Sequence, residues 1–192
     1  MHESKRSPNE IVIEIFDLYL KYGSSDYIGE PVSQLEHMSQ AASFAEAEGY
    51  DNEVILAAFF HDIGHFCQAD QQVNSMDGFG NVDHEMLGAN FLSQRGFSKR
   101  LVTLVQSHVL AKRYLTFKYP DYFNNLSEAS KVTLIQQGGK MDQQQTEEFE
   151  LDPDAHLYIR FRHWDDMAKL INVPVNNIEH LKIMALAHLE AQ

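Results

Sequence analysis

The stretch AAFFHDIGHFC, from Ala57 to Cys67, constrains this chain more than any other. It is apolar almost throughout and belongs in a core, yet it carries His61, Asp62 and His65. Polar groups buried in an apolar helix cost free energy unless something satisfies them. On an α-helix positions i and i+4 share a face, so the spacing turns His61 and His65 toward one centre. Asp62 is rotated by about 100° and reaches the edge of the same site. Imidazole and carboxylate together suit iron, manganese or zinc. A carboxylate between two metals can also bridge them, one oxygen to each. The alternative is a set of core histidines satisfied by hydrogen bonds alone.

The rest of the chain predicts helices. Ser7-Pro8-Asn9-Glu10 is a capping box with proline at the first helical position. Ile11, Ile15, Leu18 and Tyr22 follow at helical spacing until Gly23. Ser33 and Glu36 form a second capping box, and that helix carries His37 and closes at Gly49. A third helix runs from about Asn52 to Phe66, capped by Asp51 or Asn52. A loop around Met76, Asp77, Gly78, Phe79 and Gly80 comes next. Helices then run from near Asp83 to Gln94, ended by Gly96, and from a Ser98 cap through His108 and Lys112. Lys118 to Asn125 contains Pro120 and reads as loop. Ser127 to Gln137 is a short helix ended by Gly138-Gly139, and a polar helix starts near Asp142. Asp152-Pro153 opens a helix continued by Arg160 to Leu170, and the last helix spans Asn177 to Leu189. No strand pattern is long enough for a sheet, and no repeat or interdomain linker interrupts the chain. The expected object is a single compact all-α domain over residues 1–192.

Charge and hydropathy narrow the function. A net charge of −13 repels phosphate backbones and anionic membranes. No uncharged run approaches transmembrane length, and the polar MHESKRSPNE segment has no apolar signal region. Cys67 is the only cysteine, so it forms no intrachain disulfide and reads as a small buried hydrophobe in a reducing compartment. A cytoplasmic protein with neither nucleic-acid nor membrane partners is expected.

The ten histidines divide unevenly. His2 stands in a polar terminus, and His156, His163, His180 and His188 lack a partner pattern. His37, His61, His65, His84 and His108 lie on predicted helices, and the flanks of most are apolar or acidic.

The order His37, His61-Asp62 and a late aspartate resembles the HD-domain superfamily, an all-α metal-binding fold. His84 and His108 are additions typical of its two-metal members. The stretches DYIGEPVSQLEH, AAFFHDIGHFC, MDGFGNVDHE, SHVLAKRY, PDYFNNLSEASKVTL, QGGKM and RFRHWDDMAK, in order from Asp26 to Lys169, resemble the 2-amino-1-hydroxyethylphosphonate dioxygenase group. This resemblance implies a helical bundle around a dinuclear site, with two iron ions in a mixed-valent Fe(II)/Fe(III) state. It implies an oxygenase that uses O2 to cleave a carbon–phosphorus bond. One iron would take His37, His61, Asp62 and Asp165, and the other Asp62, His84 and His108, with Asp62 bridging. Tyr27 and Glu30 would form a mobile gate. Tyr27 would fill a coordination position when substrate is absent, and Glu30 would face the substrate's cationic end. Lys112, Ser130 and Arg162 would hold the phosphonate, with His65 close by. The implied substrate is an (R)-1-hydroxy-2-aminoethylphosphonate-type small molecule. Its N-trimethylated form, giving glycine betaine and phosphate, is the expected one, and the amine form, giving glycine, is the alternative. An upstream phosphonate hydroxylase would supply it.

Spacing agrees with parts of this assignment. Lys112 lies one turn after His108, and Arg162 one turn before Asp165. Ser130 sits in a helix N-terminal turn, where backbone N–H groups favour anions. Glu30, between Gly29 and Pro31, lies in a loop. Tyr27, Phe66, Phe79, Tyr119 and Trp164 lie near the ligands in sequence, and aromatic faces attract quaternary ammonium groups. Two other readings compete. A metal-dependent phosphohydrolase, the activity of most HD-domain proteins, would turn over without O2. A non-catalytic metabolite-binding HD protein would bind phosphonate without turnover. A polyol oxygenase leaves Glu30 and much of the matched stretches unexplained.

Overall fold

A computed structural model describes residues 6–27, 29–67 and 83–192. His2 and the expected loop from Met76 to Gly80 lie outside these residues. Among the described residues every regular element is a helix, and the one β feature is an isolated bridge between Asp26 and Ser33.

Helix α1 (Pro8–Tyr22) begins at the Ser7 capping box, where Ser7 N–H donates to Glu10 at 2.8 Å and Glu10 N–H donates to Ser7 Oγ at 3.3 Å. Its buried face is Val12, Ile15, Phe16 and Tyr19, while Ile11, Leu18 and Tyr22 flank it partly covered. The core stripe is therefore rotated from the one the spacing predicts. Gly23 ends the helix without a left-handed turn. Its role is close approach, since a Cβ there would stand 2.4 Å from the Tyr19 carbonyl and 2.9 Å from Leu35.

Helix α2 (Gln34–Ala47) has the expected Ser33/Glu36 capping box. Helix α3 (Asn52–Phe60), capped by Asp51, is buried from Val54 through Phe60. The helix expected to run on to Phe66 is interrupted, and a short α4 (Gly64–Cys67) resumes after a turn. Helix α5 (His84–Ser93) and the long α6 (Lys99–Lys118) follow. The predicted loop at Lys118 to Asn125 contains α7 (Pro120–Asn125), because proline at the first helical position starts a helix instead of breaking one. Four more helices complete the chain: α8 (Glu128–Gln136), α9 (Gln143–Glu150), α10 (Ala155–Met167) and α11 (Ile178–Glu190).

The centre is a ring of four helices, with α3 packed between α2 and α6, and α10 bridging α6 back to α2. Helices α1 and α11 pack together, and α11 also packs on α3. Tyr19 stacks on Phe59 at 4.4 Å and donates its hydroxyl to the Phe59 carbonyl at 3.1 Å. Phe16 stacks on the other end of that cluster, 5.6 Å from Phe59. Each such buried apolar side chain contributes about 1.5–3 kcal/mol. Trp164, fully buried on α10, donates its indole N–H to Glu48 at 3.0 Å, and Glu48 also pairs with Arg160. Those bonds fix the rotation of α10 against the end of α2. No helix among the described residues is long and apolar enough to cross a membrane.

Candidate metal centre and substrate cavity

The interruption between α3 and α4 builds the site. After Phe60 the backbone tightens to i+3 hydrogen bonds, with Ile63 N–H to Phe60 at 3.0 Å, His65 to Asp62 at 3.0 Å and Phe66 to Ile63 at 2.9 Å. A tighter turn rotates each residue further than an α-helix does. Asp62 consequently aims at the centre instead of its edge, and its Oδ2 lies 3.3 Å from His61 Nε2. The same tightening takes His65 off the His61 face. His65 stacks on His84 at 4.2 Å and stays 4.0 Å from Asp62 Oδ1. The pairing of His61 with His65 predicted from their four-residue spacing does not form.

Three helices of the ring and α5 supply the other groups. His37 comes from α2, His84 opens α5, His108 lies on α6 and Asp165 on α10. All are buried. Asp62 Oδ2 faces His37 at 3.5 Å as well as His61, while Oδ1 faces His84 at 3.2 Å and His108 at 3.5 Å. One carboxylate is thus shared between two histidine pairs. His37-His61-Asp62 and Asp62-His84-His108 are each grouped closely enough to hold a metal ion. Asp165 Oδ1 extends the first group, 3.3 Å from His37 Nε2.

The orientation of the rings shows that the donor set fits a cation. His37 Nδ1 donates to the Ala168 carbonyl at 2.9 Å, His61 Nδ1 to Ala58 at 2.8 Å and His108 Nδ1 to Val105 at 2.9 Å. A carbonyl only accepts, so each Nδ1 carries the hydrogen and each neutral Nε2 points a lone pair inward. Yet His37 and His61 bring their Nε2 atoms within 3.0 Å, and His84 and His108 within 2.9 Å. Facing lone pairs beside a carboxylate repel, and a cation between them removes the repulsion. The chemistry of the donors therefore calls for a metal centre.

The electrostatics point the same way. Burial alone would raise the carboxyl of Asp62, but His61 and His84 beside it hold it well below 3.8. Asp165 is likewise held low against burial, by Arg162 first and then His37. Burial opposes charge on His61, yet Asp62 and then Asp165 raise it to about 9, so the carboxylates favour positive charge at its Nε2, a proton or a metal cation in the proton's place. His65 goes the other way, lowered to about 3 by burial and the neighbouring His84, so its ring is neutral.

A cavity of about 60 Å³ adjoins this cluster. Two buried cations line it, in a protein with only 15 Lys and Arg against 28 Asp and Glu. Arg162 is clamped on all sides. Its Nε donates to Tyr122 at 3.0 Å, its Nη1 to Asp165 at 2.7 Å, and its Nη2 to Asp166. Lys112 donates to Thr133 at 3.1 Å, and burial followed by repulsion from Arg162 lowers its ammonium to about 7. Ser130 lines the same wall from α8, its own N–H taken by the Ser127 cap at 3.2 Å. Tyr27 and Glu30 line the cavity from the loop before α2. Tyr27 lies flat on His37 with centroids 3.9 Å apart, and Glu30 pairs with Lys169 at 2.7 Å.

Every sequence-predicted site residue therefore lies in the His/Asp cluster or on the cavity wall. The aromatics that lie near the ligands in sequence do not all face the cavity. Tyr27 alone of its described members lines the cavity. Phe66 and Trp164 are core, Tyr119 is 52% exposed, and Phe79 lies outside the described residues. The four unassigned histidines stay apart from the cluster. His188, for example, accepts the Ser98 N–H at 3.2 Å. Thr133, Tyr122, Asp166 and Lys169 were not anticipated. Thr133 had a signal, one turn after Ser130, and so did Asp166, one turn after Arg162. Lys169 had none, because its partner is 139 residues away.

The HD-domain family model matches residues 34–148. An uncharacterized protein, L432, of Acanthamoeba polyphaga mimivirus is 41% identical over 91% of this chain and 80% of its own length. The [1-hydroxy-2-(trimethylamino)ethyl]phosphonate dioxygenase (glycine-betaine-forming) of Leisingera caerulea is 39% identical over 94% of this chain and 91% of its own. The hydroxymethylphosphonate dioxygenase of Gimesia maris is 38% identical over 91% and 86%. Such likeness along nearly the whole chain, on top of a matched domain and a His/Asp cluster in helices, makes this protein a member of the HD-domain family.

Proposed function

We propose that this protein is a di-iron oxygenase that cleaves the carbon–phosphorus bond of a 1-hydroxyalkylphosphonate. The reaction consumes one O2 and yields a carboxylate, phosphate and a proton, so both oxygen atoms end in the products. His37, His61, Asp62 and Asp165 would hold one iron, and Asp62, His84 and His108 the other, as an Fe(II)/Fe(III) pair. When bound, that pair supplies the redox chemistry and the site for O2.

The chain's own residues bind and orient. Lys112 keeps N–H groups beyond its bond to Thr133, and Arg162 keeps those not engaged by its three partners, so both can donate to phosphonate oxygens. Arg162 cannot swing, which fixes the phosphonate relative to Asp165 and the metal ligands. Ser130 adds a hydroxyl on the same wall, and neutral His65 adds a hydrogen-bond partner beside Asp62. A dianion next to Lys112 restores the protonation that burial weakens. Tyr27 and Glu30 form the gate, and Tyr27 on His37 keeps water from the ligand face. An upstream phosphonate hydroxylase supplies the C1 hydroxyl. Residues 1–192 act as one domain, because α10 lies outside the matched segment and still carries Asp165 and Arg162. A cytoplasmic location goes with the lone thiol Cys67, which burial pushes up to about 11.

The observation that carries this reading is one carboxylate shared by two histidine pairs, next to two buried cations. Support for oxygen chemistry over hydrolysis comes from the two relatives named as dioxygenases. The test is phosphate release from a 1-hydroxyphosphonate by iron-reconstituted protein, with and without O2. Release only with O2 is expected. Anaerobic turnover would assign the hydrolase instead, and tight binding without any release would assign a metabolite binder.

A further inference from the structure

Arg162 meets two carboxylates on its own helix, and they hold it differently. Asp165, three residues on, is buried and accepts Nη1 at Oδ2 only, at 2.7 Å, while its Oδ1 stays 3.3 Å from His37 Nε2. Asp166, four residues on, is 23% exposed and accepts Nη2 at Oδ1. Nε is left for Tyr122, whose hydroxyl accepts it at 3.0 Å and donates onward to Asp166 Oδ2 at 2.6 Å. Arg162, Tyr122 and Asp166 thus close a ring of hydrogen bonds along the Nε and Nη2 edge of the planar guanidinium.

Tyr122 is how α7 takes part. It is the one residue of that helix that is not exposed, and its ring packs against the core. Burial raises its phenol against the pull of Arg162, so the hydroxyl keeps the hydrogen it gives to Asp166. Packing alone would be met by phenylalanine, which would leave the Nε hydrogen of a buried arginine without this acceptor. Neither Tyr122 nor Asp166 lines the cavity, whereas Arg162 does. Their bearing on a bound anion therefore runs through Arg162.

We propose that Tyr122 and Asp166 are positioning residues for the anion. By filling the Nε and Nη2 edge they hold Arg162 to a single bond with Asp165 and leave its remaining Nη1 and Nη2 hydrogens for the phosphonate. Without them the guanidinium is free to turn onto Asp165 as a two-pronged fork, which draws its donors out of the cavity. The proposal rests on the reading above that Arg162 holds the phosphonate, and it concerns binding of the anion, not the oxygen chemistry.

The experiment measures hydroxymethylphosphonate binding to the full iron-reconstituted chain by anaerobic calorimetry, with phosphate release in O2 followed in parallel. Tyr122→Phe keeps the ring and removes the hydroxyl. Its Kd and KM should rise about tenfold, in line with leaving a buried donor unmet. Its kcat should stay within about twofold of native, with iron content at the native level. Asp166→Ala should weaken binding at least as much. In an Arg162→Lys chain, which has no guanidinium to hold, adding Tyr122→Phe should change Kd by less than about twofold. A packing role for Tyr122 would not give that non-additivity. The proposal is overturned by a Tyr122→Phe chain that binds as tightly as native, by one that loses iron in step with affinity, or by an equal loss in the Arg162→Lys background. Should Arg162→Lys fail to fold, the Kd of Tyr122→Phe at native iron content decides. Shifts as expected without phosphate release in O2 would defeat the oxygenase reading and uphold the positioning pair. A native chain that binds no phosphonate would overturn both.

Discussion

At the scale of single residues, Asp62 and Lys112 do the most. Asp62 is one residue after His61, and its two oxygens serve different histidine pairs, a role no other described side chain has. The sequence marks it as unusual, a carboxylate inside an apolar run, and its place between two histidine pairs was an expectation of the family resemblance. Its direction was not, because a single helix puts it 100° away from the centre. Lys112 is buried, although spacing alone left open a solvated cation. Its methylene stem and ammonium are enclosed with Thr133 as the only hydrogen-bond acceptor shown. Lys112→Met keeps the volume and removes the charge. A rise in KM of at least about 30-fold is expected, in line with losing a buried charge-assisted contact, with metal content unchanged. Steady-state phosphate release and iron analysis of the same sample check both halves.

At the scale of elements, the sequence was most legible where local chemistry decides. The capping boxes at Ser7 and Ser33 form as written, and the polar helix expected near Asp142 starts there behind a capping box of its own, because the bonds involved span three residues. The break between α3 and α4 was not legible, because it depends on a partner 20 residues on. A Cβ at Gly64 would come 1.8 Å from the His84 carbonyl and 2.9 Å from the Gly88 amide. Glycine at 64 therefore lets α5 approach the turn, and the approach carries His84 to Asp62. Nothing local to AAFFHDIGHFC announces this, and the segment between Cys67 and Asp83 hides the connection from periodicity. Gly64→Ala forces backbone atoms apart, which flexible side chains cannot absorb. The expected cost is about 1–3 kcal/mol in chemical denaturation. Binding at the His84-His108 side should fall further than at the His37-His61 side, which metal titration reads directly. The short α7 is hidden for another reason, since Pro120 reads as a breaker where it serves as a start.

At the scale of the whole molecule, long-range ion pairs tie the ring together, and they give it an acid-sensitive edge. Arg160 holds the Glu48 carboxyl below its ordinary 4.5, between α10 and the end of α2. Arg100 holds Asp51 low, and at Glu53 burial opposes while Ser98 and Arg100 win, between α6 and the start of α3. Carboxyls depressed in the folded state stabilise it fully above their unfolded pKa, and the gain is lost as pH falls through the folded values. The urea midpoint should hold steady from pH 8 to about 5 and drop below about 4.5, more gently in high salt, because these groups are partly exposed. A midpoint unchanged down to pH 3 would show that these ties contribute nothing. The overall all-α bundle was legible from periodicity and caps. Which helices touch was not, since α10 meets α2 through Trp164 and Glu48, 116 residues apart.

The central claim is that one carboxylate serves two metal positions, and metal stoichiometry tests it most directly. Anaerobic titration with iron should saturate at two ions per native chain, one in His84→Ala, and none held tightly in Asp62→Ala. A native chain that saturates at one ion, or an Asp62→Ala variant that still holds two, would contradict the shared carboxylate.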